Sequence, residues 1–205
     1  MVTDTHSISQ NIDSTVAAIQ SRGIQAEVVE TGAQALERIQ QLIPEGARVM
    51  TGGSVTLKQI GLEELLKAQT HPWINLKDEI LAETDMVKQG QLRKQSTLAD
   101  YFLGSVQAIT ETGELVFASA GGSQLAAYAF SSSNIVWVAG VQKIVPTLED
   151  ALRRVREHNL PIEDQRMKGL GFPGSFIGKI LIFEREPAQL GRKIHLILVN
   201  ETVGV

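Results

Sequence analysis

The spacing of apolar side chains divides the chain into helical and extended stretches. Ile8, Ile12, Val16 and Ile19 recur at helical intervals, and Gly23 closes that helix. Ile24 to Val29 reads as a short strand. Thr31 and Gln34 then fit a capping box, and Leu36, Ile39, Leu42 and Ile43 give the next helix its stripe until Pro44-Glu45-Gly46. Ala47 to Met50 is a brief strand. Thr56 and Gln59 repeat the capping signal, which predicts a helix from Leu57 through Leu66, broken by His71-Pro72. Leu76 to about Leu98 is helical in composition, with Leu76, Ile80, Met86 and Val87 as its inner stripe. The helical segment at about 62–98 reads as an insertion.

The second half is richer in strands. Tyr101 to Ile109 is expected as one strand, Thr110-Glu111-Thr112-Gly113 as a tight hairpin turn, and Leu115 to Ala118 as the return. Gly121-Gly122-Ser123 opens a small-residue helix. Ile135 to Ala139 is an unbroken apolar run, suited to a strand covered on both faces. Thr147 and Asp150 cap a helix with Leu148, Ala151, Leu152 and Val155 on its face. Residues 159–178 look loop-like, with two Pro, four Gly and little periodicity. Ile180 to Phe183 and Ile194 to Val199 are apolar strands, joined by a hairpin near residue 190. Strands alternating with helices predict an α/β domain with a mostly parallel sheet, right-handed crossovers and antiparallel hairpin additions.

Composition narrows the function classes. At 205 residues the chain holds one domain with a full core, so 1–205 is read as a single unit. A net charge of −4 argues against a generally basic nucleic-acid surface. The polar start lacks a secretory pattern, and no apolar run approaches the roughly 20 residues that span a bilayer, so the expectation is a cytoplasmic protein. The absence of cysteine excludes a thiolate nucleophile, a disulfide framework and any Cys-ligated zinc or iron–sulfur cluster in this chain. The four histidines, at 6, 71, 158 and 195, show no metal-ligand spacing, so no metal site is expected; His195, within an apolar strand, reads as structural.

Candidate chemistry gathers at strand ends. Thr51-Gly52-Gly53-Ser54-Val55-Thr56 lies between a strand and a helix, where glycines admit an anion to backbone N–H groups and the hydroxyls of Ser54 and Thr56 add donors; ordinary turn and cap chemistry uses the same residues. Gly121, Gly122 and Ser123 carry the same two readings. Lys143 follows the most buried-looking strand and reads either as a cation for an anionic ligand or as a solvated loop lysine. Glu111 and Glu201, near strand ends, are candidate bases or nucleophiles. Arg153, Arg154 and Arg156 read as a solvated helix face paired with Glu149, Asp150 and Glu157.

Three segments, in order, resemble the LUD domain, the family of lactate utilisation protein C. They are Gly53-Ser54-Val55-Thr56-Leu57, Ile109-Thr110-Glu111-Thr112-Gly113-Glu114-Leu115-Val116, and Ala139-Gly140-Val141-Gln142-Lys143-Ile144-Val145-Pro146-Thr147-Leu148-Glu149; the ending Ile197-Leu198-Val199-Asn200-Glu201 is also similar. The resemblance implies a three-layer α/β/α sandwich of the NagB/RpiA/CoA-transferase kind. It also implies a bacterial role in oxidising L-lactate to pyruvate beside partner subunits that carry the iron–sulfur clusters. Family members often have Gly-Asn-Arg where this chain has Gly122-Ser123-Gln124, and Asn where it has Gln142; the Cys-rich segment of some members has no counterpart in 159–178. A more distant likeness to methylthioribose-phosphate isomerases places Gln107 where those enzymes have a catalytic Asp, and an amide is no general base. Three functions follow as expectations. One is a lactate-utilisation subunit binding a small anionic metabolite. Another is a stand-alone transferase or isomerase on a phosphorylated or CoA-linked molecule. The third is an interaction module without catalysis.

Overall fold

The computed structural model describes residues 5–205, with side chains from residue 11 onward. Ile8 of the expected first stripe, and His6, lie outside the described side chains. Helix α1 (Thr5–Ser21) leads through Gly23, at φ 81°, into β1 (Gln25–Val29). Helix α2 (Gly32–Leu42) starts on the expected box: Gln34 N donates to Thr31 Oγ1, and the Gln34 amide oxygen accepts from Thr31 N. Strand β2 (Arg48–Thr51) follows, then α3 (Val55–Gln59), α4 (Leu62–Lys67), β3 (Ile74–Asn75), α5 (Leu76–Ala82) and α6 (Met86–Gln95). The second half comprises β4 (Tyr101–Gly104), β5 (Ala108–Thr110), β6 (Leu115–Ser119), α7 (Ser123–Ala126) and β7 (Asn134–Gly140). It continues with β8 (Ile144–Val145), α8 (Leu148–Arg154), α9 (Leu160–Gly169), β9 (Lys179–Phe183) and β10 (Lys193–Val199).

Six strands form a parallel sheet in the order β1-β10-β7-β4-β2-β3. The apolar run Ile135–Ala139 lies in β7, inside the sheet, with each side chain shut off from solvent, as its composition requires. One face of the sheet packs Val49, Leu103, Val136, Val138, Ile197 and Val199 against Ala35, Ile39, Leu57 and Leu62 of α2, α3 and α4. The other packs Phe102, Ile135, Trp137, Leu196 and Leu198 against Ile19 of α1 and Leu125 of α7. Helices therefore cover both faces, as the expected α/β layering requires. On the second face they share the layer with a mixed four-stranded sheet, β8-β5-β6-β9, which contributes Ile109, Leu115, Phe117 and Phe183 to the same core. Ala151 of α8 and Val155, the residue after it, close the far side of that smaller sheet.

Several expectations are corrected. The apolar stretch 101–109 is two strands in two sheets: β4 ends at Gly104, Ser105-Val106-Gln107 crosses over, and β5 joins the smaller sheet. Continuous hydrophobicity does not reveal the switch because both halves are buried. The strands near residue 190 are likewise in different sheets and form no hairpin, whereas the turn at 110–113 does, with Gly113 at φ 93°. The expected helix 57–66 is split by Gly61, at φ 87°, and begins at Val55, where Ser54 Oγ accepts from Leu57 N. Neither Thr56 nor Gln59 caps it. Both side chains reach distant partners, Gln59 Oε1 accepting from Gly204 N. Residues 76–98 break at Asp85, which caps α6. Leu76 and Ile80 are buried, but Met86 and Val87 are 86% and 71% exposed. The segment 159–178 is half helix. A π-helical stretch, Val155–Asn159, carries α8 into α9, which has Pro161 in its first turn. Pairs Glu163–Arg166 and Asp164–Lys168 replace the absent apolar periodicity.

Candidate functional site

Parallel strands β2, β4 and β7 are neighbours, so their carboxyl ends meet at one edge, the place where open α/β sheets hold ligands. A cleft of about 390 Å³ opens there. Its floor is the Gly52–Thr56 loop, Ser105–Gln107 and Lys143; Gly121, Ser123 and Gln124 form one wall, and Asn159, Arg166, Met167 and Phe176 the other. Thus Gly52, Gly53, Ser54, Thr56, Gly121, Ser123 and Lys143 are brought together. Thr51 lines an adjoining cavity of about 180 Å³, which shares Gly52, Gly53, Ser123 and Gln124 with the cleft.

Three expected residues stand elsewhere. Gly122, at φ 87°, lines neither cavity; its N–H donates to Ser119 Oγ, and a methyl there would collide with the Lys179 side chain. Glu111 sits in the β5–β6 turn, where Asn11 Nδ2 of α1 donates to its Oε1 at 2.7 Å. Glu201 follows β10, and its Oε2 accepts from Gly32 N at 3.0 Å. Neither carboxylate lines the cleft.

Lys143 is not a solvated lysine. It is 2% exposed, and its Nζ lies 3.1 Å from Thr56 Oγ1, 3.0 Å from Ser105 Oγ and 3.1 Å from the Val106 carbonyl oxygen. The two hydroxyls are 3.0 Å apart. Among the described residues, three acceptors and no carboxylate surround the amine. Burial, aided by the Arg154 charge, pushes its pKa down to about 7. Arg154 is also only half exposed to solvent, unlike the open face expected for it, and burial lowers its own pKa. Its buried Nε has no partner among the described residues, while Arg153 makes the expected pairs with Glu149 and Asp150. His158 lies beside this positive corner, where burial and the charges of Arg154 and Lys143 lower its pKa and favour its neutral form.

Two cleft groups have definite structural duties. The Gln107 amide mimics a strand partner, its Oε1 accepting from Ala118 N at 3.1 Å and its Nε2 donating to Ala118 O at 3.4 Å, a donation that an ionised acid could not make. Asn159 Nδ2 donates to the Val205 carbonyl oxygen at 2.9 Å, whereas its Oδ1 is buried without a partner among the described residues. Among the described residues no group of three or more His, Asp or Glu side chains could hold a metal ion, and no helix is long and apolar enough to cross a membrane. Ser105, Arg154, Asn159 and Arg166 were not legible as site residues. Ser105 alone had a usable signal, a Gly-Ser pair directly after an apolar strand.

These features define an α/β domain with a cleft of mixed polar and apolar lining at the carboxyl edge of a parallel sheet. The LUD domain model matches residues 12–180, so the chain belongs to the LUD domain family. A crystal structure of a DUF162 family protein from Deinococcus radiodurans superposes with a TM-score of 0.56 at 12% identity, over 94% of this chain and 98% of that one, and shares its fold. The eIF2B beta structure from Chaetomium thermophilum is similar at a TM-score of 0.36 and 15% identity, over 58% of this chain and 43% of that one. No curated protein matches the sequence.

Proposed function

We propose that this LUD-domain protein takes part in the oxidation of L-lactate to pyruvate in the cytoplasm, binding a small anionic metabolite in the Lys143 cleft. The observation that carries the ligand class is the buried Lys143 amine against two hydroxyls, with no carboxylate paired to it among the described residues. In its protonated form it attracts a carboxylate through Ser105 and Thr56. The lactate assignment rests on the family motifs. Without cysteine, this chain carries no Cys-ligated cluster; on the family resemblance, the clusters that take electrons from lactate are held by partner subunits. Deleting the gene should abolish growth on lactate as sole carbon source, and restoring Lys143→Met should not rescue it. Normal growth of the deletion strain, with the partner genes intact, overturns the pathway assignment. Thermal shifts with lactate and pyruvate test the ligand; binding at 100 times the Kd adds about 2.7 kcal/mol.

A second reading is a transferase acting on a phosphorylated or CoA-linked molecule. The adjoining cavity favours it, since Lys77 and Arg93 line that cavity across the shared Gly52-Gly53 loop. A stronger shift with coenzyme A esters than with free carboxylates, lost on Arg93→Ala, would select it.

A further inference from the structure

We propose that Ser105 is a nucleophile activated by the Lys143 amine, accepting the acyl group of a small activated ester or thioester in the cleft. The proposal rests on the same cleft being the ligand site, but not on lactate being its ligand.

The backbone delivers the pair. Strands β4 and β7 are hydrogen-bonded neighbours, with Gly104 opposite Trp137. Ser105 is the first residue after β4, and Lys143 ends the short turn Val141–Lys143 after β7. Their reactive atoms meet at 3.0 Å. Both hydroxyls that the amine reaches line the cleft, but Thr56 is 2% exposed whereas Ser105 is only half-buried.

Counting protons assigns the roles. A neutral amine has two N–H groups and one lone pair. The N–H groups donate to Val106 O and Thr56 Oγ1, the Thr56 hydroxyl donates to Ser105 Oγ, and the Ser105 hydroxyl donates to the amine lone pair. Each polar atom of the triad is then satisfied, and the Ser105 proton already lies on the path to its base. Protonation breaks the circuit. An ammonium fills all three acceptors, and one hydroxyl proton is left over for a ligand. The same group thus attacks in one state and holds an anion in the other. A desolvated lysine beside a second cation is a recognised way to keep an amine unprotonated near neutral pH, and Arg154 supplies that cation.

In the first step Ser105 Oγ bonds to the carbonyl carbon while its proton passes to Lys143 Nζ. The C–O or C–S bond of the donor then breaks, and the ammonium returns the proton to the departing alkoxide or thiolate. In the second, water attacks the Ser105 ester, Lys143 takes a proton from it and hands it to Ser105 Oγ, and a carboxylic acid leaves. No electrons change hands. The product, once ionised, is a small carboxylate, the ligand class already assigned to the cleft.

The test uses the full chain with p-nitrophenyl acetate, followed by nitrophenolate release and by peptide mass mapping. Acetylation is expected at Ser105, absent in Ser105→Ala, retained in Ser105→Cys, and slowed about 100-fold or more in Lys143→Met. Circular dichroism of each variant establishes that it is folded. Its rate in the native protein should rise with pH through about 7, as the amine loses its proton. No acetyl group on Ser105, acetyl on Lys143 instead, or Ser105 labelling unchanged in a folded Lys143→Met overturns the proposal. Loss of acylation with intact pyruvate binding would remove this chemistry and leave the lactate reading standing; loss of both would remove the cleft as the site.

Discussion

Gly104 faces the phenol of Tyr128 so closely that a methyl group on Gly104 would coincide with the Tyr128 hydroxyl oxygen. Tyr128 is fully buried among Phe102, Phe117 and Trp137, so it has nowhere to withdraw. Gly104→Ala should destabilise the protein by about 1–3 kcal/mol through overpacking, read as a lower urea midpoint. Tyr128→Phe removes the colliding oxygen, so the double variant should recover part of the loss. Because Ser105 follows directly, the single variant should also impair whatever the cleft binds.

Lys143 predicts a pH dependence of stability with a definite sign. Its pKa is near 7 in the folded protein and ordinarily 10.5, so between these values the unfolded chain binds a proton that the folded one does not. Stability from this residue is fully present above about 10.5 and is lost as pH falls towards 7, by about 1.4 kcal/mol per pH unit. Chemical denaturation at several pH values should show that rising slope in the native protein. Lys143→Met should remove it, and equal slopes in the two proteins would contradict the buried, neutral amine.

Arg192 should matter more than a typical surface arginine. Its guanidinium donates to the carbonyl oxygens of Tyr128 at 2.8 Å, Ala129 at 3.0 Å and Ser132 at 3.1 Å, where the π-helical stretch Ala127–Ser131 ends. It also pairs with Glu186, whose carboxyl is pushed up by burial. Removing one side of such a pair leaves a buried charge and several carbonyls unmatched. Arg192→Met should cost about 3 kcal/mol in equilibrium unfolding.

Glu114 ties the β5–β6 hairpin to α1. Burial opposes its ionisation, but hydrogen bonds from the Thr110 and Thr112 hydroxyls, its own backbone N–H and the charge of Arg22 together hold its pKa below the ordinary carboxylate value. The stability this gives is present above the ordinary carboxylate range and is lost as pH falls through the folded value. Glu114→Gln should therefore lower the melting temperature at pH 7, with the difference from native shrinking as the solution is acidified.

Local signals were legible because they depend on neighbours in the chain. The Thr31–Gln34 box, the Thr147 cap and the apolar run at Ile135–Ala139 each rest on a few consecutive residues, and each is present. Sheet membership was not. Burial does not distinguish a strand that continues from Tyr101 to Ile109 from one that changes sheets, since β4 and β5 are both buried; the Gly104-Ser105 pair is the one local sign of the break. The site followed the same division. Lys143 and the Gly52–Thr56 loop stood out by their place after strands, but the contacts of Lys143 with Thr56 and Ser105 span 87 and 38 positions and belong to the fold alone. The strand-end position of Glu111 and Glu201 could not reveal that Asn11 and Gly32 would receive them. In α9, ion pairs stand where apolar periodicity was sought, which made a helix look like a loop.

The strand order also governs how the sheet can be completed. β1 has a single partner, β10, and Gln25 lies opposite His195. Every element between them must leave the ribosome before the first strand can pair. Until then β1 and β7 each present an unsatisfied edge to solvent, a period in which a chaperone or a second nascent chain competes for them. Loss of β10 would not trim the border of the sheet; it would open a gap inside it, with β1 stranded on the far side. A truncation there should therefore yield aggregated protein rather than a smaller soluble domain.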